Sequence, residues 1–155
     1  MKIGNILITE KLKNDIFYVC TLVEYIGRYT NNHRKYIVEK IGKEGLKHQL
    51  DYADINHCLS IEQVGEEVIE DFHIEFGTFD TISTCKYKVP SVTDIGKLYQ
   101  RLVIDIQVNE TWEEAIYKVF QSFISDEISD FNSSVYYRSP DYLKYSYLEG
   151  ELLLY

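Results

Sequence analysis

Five residues within one short stretch have the types that bind metals or activate nucleophiles: His48, Asp51, Asp54, His57 and Cys58. Imidazole, carboxylate and thiolate together form zinc sites, and a Cys beside a His can act as nucleophile and base. Such a site would describe a small metal-dependent or Cys/His hydrolase. The spacing opposes it. Nine residues of straight helix turn through about 900°, so His48 and His57 leave opposite sides. The reading is therefore an exposed His48 and a partly buried His57–Cys58 pair at a helix end, with no catalytic residue assigned. Glu70-x-x-His73 copies half of a di-iron carboxylate motif, but that chemistry needs a second copy, and the chain has none. No metal and no cofactor are expected.

The charged residues are arranged more distinctively. From Arg28 to Lys47 there are six basic residues, Arg28, Arg34, Lys35, Lys40, Lys43 and Lys47, against two acidic ones. From there to Lys86 there is no Lys or Arg, while nine carboxylates follow one another. Glu62, Glu66 and Glu70 fall at i, i+4 and i+8, and Glu67 and Asp71 form a parallel row on the same helix. Like charges at that spacing repel by a few tenths of a kcal/mol per pair. The row is either a solvated face or a docking surface for a basic partner, including a second copy of the chain. The basic run is either a solvated face or a phosphate-contacting helix pair.

Net charge is −9, unevenly spread. Residues 1–48 hold nine basic and five acidic side chains, and residues 49–155 hold seven and twenty. A protein wrapped in nucleic acid over its whole surface would not be this acidic, so phosphate contact through residues 28–48 is the second choice. Six of the fourteen tyrosines lie in residues 132–155. Tyr136, Tyr137, Tyr142 and Tyr145 are candidate interface aromatics, since tyrosine brings a large rigid surface and one hydroxyl; the other reading lays them over the core. A stacking platform for single strands would need more interleaved cations than Arg138 and Lys144. A phosphate-binding glycine loop and a Gly-x-Ser-x-Gly elbow are absent.

The elements that must position these residues are mostly helical. Ile16, Val19, Cys20, Val23 and Ile26 recur at helical steps and predict a helix over 13–30. A second helix is read over 32–42, ending at Gly42, and a third over 43–56, turning Leu46, Leu50, Ala53 and Asn56 inward. Ser60-Ile61-Glu62-Gln63 is a capping-box pattern and opens a fourth. Residues 74–90 are ambiguous: Cys85, Tyr87 and Val89 alternate with polar residues, so a short β segment near 82–89 stays open against a helical turn. Beyond Pro90, two segments carry strong 3.6-residue periodicity, 91–106 and 110–130. Their short link predicts an antiparallel hairpin at the centre of the core. Ser139-Pro140 starts a last helix over 140–149.

The expected fold is mainly α: one domain over 1–155, a bundle of about six helices with the C-terminal hairpin. Residues 1–15 alternate apolar and charged (Ile6, Leu7, Ile8, then Glu10, Lys11, Lys13), unlike a signal peptide, and three cysteines at long spacings fit reduced thiols, so the expected compartment is the cytoplasm. No apolar run reaches the ~20 residues that cross a bilayer. The abundance of Ile, Tyr and Lys with only two Ala and four Arg points to an AT-rich genome, bacterial or phage. The function expected from these features is a non-enzymatic protein-binding or accessory module, of the antitoxin, inhibitor or phage–host-conflict kind, working through a bipolar charged surface.

Overall fold

The computed structural model describes residues 8–154, so Ile6 and Leu7 of the alternating segment and Tyr155 of the tail lie outside the described residues. Within them the chain forms eight α-helices and one 3₁₀ turn, with no strand. Helix α1 is Glu10–Thr30, capped by Thr9, whose hydroxyl accepts from the Leu12 amide at 3.1 Å. It thus starts a turn earlier than its apolar stripe suggested. Asn31, in the left-handed conformation, ends it and turns the chain into α2, Arg34–Asp51. Gly42 interrupts α2 with φ 75° and ψ 166°, a conformation a side chain would strain, which is where the sequence placed the junction of its second and third helices. Tyr52 separates α2 from a single turn, α3, Ala53–Asn56.

Ser60 opens α4, Ile61–Asp71, by accepting from the Gln63 amide at 3.1 Å. Ser91 does the same for α5, Val92–Ile106, through the Asp94 amide. At α6, Trp112–Gln121, Thr111 and Glu114 form a reciprocal capping box. The helix expected to run on to 130 stops at Ser122, which is extended. Its hydroxyl donates to the Val119 carbonyl at 2.7 Å and that of Ser125 donates to Phe120, so serine hydroxyls take over carbonyls at the end of α6. A separate short helix, α7, Ile124–Ser129, follows. Val135–Tyr137 is a 3₁₀ turn, and α8, Pro140–Glu149, begins with Ser139 as cap and ends at Gly150.

The expected hairpin partners are not each other's main neighbours. Helix α5 lies chiefly along α1, and α6 chiefly along α2, with a shorter α5–α6 contact between them. The result is a four-helix arrangement of α1, α2, α5 and α6, with α4 laid on α1 and α8 on α5. Phe120 is fully buried and stacks on Tyr99 with centroids 4.1 Å apart. Ile16, Val23, Ile37, Leu46, Ile95, Val103 and Ile116 complete the core around them.

Residues 72–91 form a long irregular connection in place of the possible β segment. The Asp80 carboxylate accepts from the Ile82 and Ser83 amides and from the Ser83 hydroxyl, curling the chain. Asn132 then accepts from the Lys86 amide and donates to the Thr84 carbonyl. One asparagine side chain thus serves backbone groups that a partner strand would otherwise pair.

Candidate docking surfaces

The reactive-type residues of 48–58 are dispersed. Asp51 holds Lys47 at 3.0 Å, and Asp54 holds Lys11 at 3.4 Å. His48 packs on Tyr52 and His57 on Tyr18, and His48, His57 and Cys58 are all exposed, so His57 and Cys58 lie further out than the partly buried reading placed them. Among the described residues no three His, Cys, Asp or Glu side chains converge as a metal site would require, and His73 stands exposed just beyond the end of α4.

The basic run is split by the fold. Arg34 is not on a surface: it is 1% exposed and forks onto Glu24, with Nε to Oε1 at 2.9 Å and Nη2 to Oε2 at 3.0 Å. Its third nitrogen donates to the Asn32 carbonyl at 2.8 Å. Arg28 joins the same carboxylate at 2.7 Å and lies over the Phe131 ring. These two residues of the expected basic face therefore serve a buried network, because Glu24, fully buried nearly two turns before the end of α1, requires compensation. Burial pushes the Glu24 carboxyl up, but the two guanidinium groups outweigh it and hold the group below its ordinary value. Lys35, Lys40, Lys43 and Lys47 remain exposed. Lys47 is paired with Asp51, and Lys43 lies over Tyr117 in a shallow pocket that also holds Glu44, Glu113 and Glu114.

The acidic row is intact. Glu62, Glu66, Glu67, Glu70 and Asp71 are all exposed along α4, and no ion pair reaches any of them from the described residues. Beside it stands an aromatic ladder the sequence reading did not single out. Tyr25 and Tyr29, one helical turn apart on α1, stack with centroids 5.8 Å apart, and Phe76 meets Tyr29 edge-on at 5.6 Å. Glu62 and Glu66 act on the Tyr25 phenol, which burial and these carboxylates hold above its ordinary pKa. Phe76 is 64% exposed yet held by its surroundings. Asn32 donates to the Glu75 carbonyl at 2.7 Å, the Gly77 amide reaches Thr30 at 2.8 Å, and the Tyr36 hydroxyl accepts from the Glu75 amide. The backbone on both sides of Phe76 is thus fixed while its ring stands in solvent.

The tail tyrosines divide. Tyr137 and Tyr145 are exposed, and Tyr136 is half-buried against Phe131. Tyr142 is buried, lies under Arg138 at 3.8 Å and donates to the Leu153 carbonyl at 3.0 Å. It fixes the end of the chain to α8 and is withdrawn from the candidate interface.

A groove of about 710 Å³ lies between the start of α1, α5 and the 3₁₀–α8 segment. Lys13, Lys97, Arg101 and Arg138 line it with Asp94, over Leu98, Leu102 and Leu143. These cations are scattered over 126 positions, so no local pattern marked them. In comparison with known proteins, the chain matches no family model, no curated protein and no solved structure. The class that fold and surface define is an all-α bundle carrying separate acidic–aromatic and basic–apolar faces. No helix among the described residues is long and apolar enough to cross a membrane.

Proposed function

We propose that this protein is a non-enzymatic docking module that takes a basic segment of another protein on the α1–α4 face. The observation that carries the reading is the row of five exposed carboxylates on α4, none of them in an ion pair among the described residues, bordered by the Tyr25–Tyr29–Phe76 ladder. Carboxylates supply steering and register, and the rings supply the apolar anchor that interfaces concentrate their energy in. An Arg or Lys side chain also finds both an anion and a ring face there. An accessory or inhibitory role in a cytoplasmic setting fits this reading. Nucleic-acid binding through residues 28–48 has less support, because Arg28 and Arg34 are committed to Glu24 and Lys47 to Asp51.

The test is fluorescence anisotropy with labelled peptides rich in Lys, Arg and Leu, against acidic peptides and mixed DNA and RNA. Basic peptides should bind, and binding should weaken several-fold between 50 and 300 mM salt, as screening requires. Glu66→Lys and Phe76→Ala should each weaken it at least tenfold, whereas Glu151→Lys, an equal change in net charge elsewhere, should not. Peptide binding that ignores Glu66→Lys, or a nucleic-acid shift in its place, overturns the assignment.

A further inference from the structure

We infer that the groove between α1, α5 and α8 is a binding site for a single-tailed alkyl carboxylate, a site separate from the acidic face and independent of the function assigned to it. Three observations converge. The volume, about 710 Å³, lies within the range of small-ligand sites. The floor is apolar: Leu98, Leu102 and Leu143 face a space that α5 and α8 leave unfilled. The lining also carries four cations, Lys13, Lys97, Arg101 and Arg138, which in so acidic a protein sets this groove apart.

These cations also fix the head group. Arg101 is bound through Nε to both oxygens of Asp105, at 3.2 and 2.9 Å, and Lys13 has Glu10 at 3.7 Å. Asp94 lines the groove itself. Lys97 is exposed and has no carboxylate within ion-pair distance among the described residues; its nearest specific contact is the Phe17 ring, 5.8 Å away. Arg138, over the Tyr142 ring at 3.8 Å, is the fourth cation. Four cations against Asp94, Asp105 and Glu10 leave a surplus of one positive charge, which suits a single negative charge, and Asp94 repels a more highly charged head. An alkyl carboxylate places that charge at Lys97 and its chain along the leucine floor. An acidic helix of another protein would bring several charges to a lining whose own charges nearly balance.

The experiment uses the full chain and dodecanoate below its micelle-forming concentration, followed by calorimetry and by methyl shifts of Leu98, Leu102 and Leu143. One saturable site is expected, with those methyls moving. Decanoate should bind roughly tenfold more weakly, since each methylene buried contributes a few-fold in affinity. Lys97→Glu should weaken dodecanoate at least tenfold at unchanged melting temperature, and Lys97→Gln by less; both replace an exposed side chain. Glu66→Lys should leave dodecanoate binding as it was, which separates failure here from failure of the acidic-face reading. The inference is overturned if no saturable site appears, if Lys97→Glu has no effect, or if neutral dodecyl maltoside binds equally. Tighter binding of dodecyl phosphate overturns the choice of head group, and a self-associated chain that Lys97→Glu dissociates would show a second copy in the groove.

Discussion

Arg34 and Glu24 carry the most consequential pairing in the molecule. A carboxylate at zero exposure is tolerable only when its charge is met and its oxygens are bonded, and here both oxygens accept from guanidinium nitrogens. Removing one member leaves the other stranded. Arg34→Met should cost about 3–5 kcal/mol in urea denaturation, while Lys35→Met, one residue on and exposed, should stay within about 0.5 kcal/mol. The pH dependence has a definite sign. The folded Glu24 carboxyl titrates below its ordinary 4.5, so its contribution is complete above that pH and is lost as pH falls through the lower folded value. The stability of the parent should fall on the acid side of 4.5, and Glu24→Gln should remove part of that slope. Residue type alone made Arg34 a phosphate contact. What decided otherwise was a carboxylate ten positions earlier, brought back by the Asn31 turn, a relation no helical period announces.

At the scale of elements, starts were legible and partners were not. Ser60, Ser91, Thr111 and Ser139 each cap the helix their spacing predicted, because a cap is a bond between near neighbours. The inward stripes of α1, α5 and α6 were equally plain. Which stripe meets which was not, since α1 and α5 join through a close approach that only coordinates reveal. A Cβ on Gly96 would lie 3.0 Å from the Thr21 Cα and 2.9 Å from its Cβ. Ala is the better helix former by about 1 kcal/mol, yet Gly96→Ala should still lower stability by about 1–3 kcal/mol, because the two helices must separate to admit it. A rise in melting temperature would show that α1 and α5 do not approach so closely. Phe120→Ala should cost about 3–5 kcal/mol, the ordinary price of an emptied aromatic core site, and thermal denaturation measures both. The interruption at Ser122 and the curl at Asp80 escaped notice for one reason: both depend on side-chain oxygens redirecting the backbone, against an apolar pattern that continues past them.

For the molecule as a whole, the acidic row was legible because it repeats along one helix, whereas the groove was not, because Lys13, Lys97, Arg101 and Arg138 meet only after α1, α5 and α8 pack. The row also carries a cost that tests its purpose. Glu66 has Glu62 and Glu70 at four residues on either side, and α4 ends without a basic residue in its last turn. Glu66→Gln removes two like-charge pairs, and Glu70→Gln removes an anion from the negative end of the helix dipole. Glu62 sits in the first turn, where an anion is favourable, and is left in place. The double variant should therefore be more stable than the parent by about 0.5–1 kcal/mol, a gain that shrinks in high salt. A row that served only as solvated surface would give up these charges with no other effect. If it is the docking face, the same two substitutions that raise the melting temperature should weaken binding of the basic peptide by tenfold or more. Stability and affinity moving in opposite directions is the signature of a surface held under repulsion for the sake of its partner; greater stability with affinity unchanged would identify the row as solvent-facing charge and nothing more.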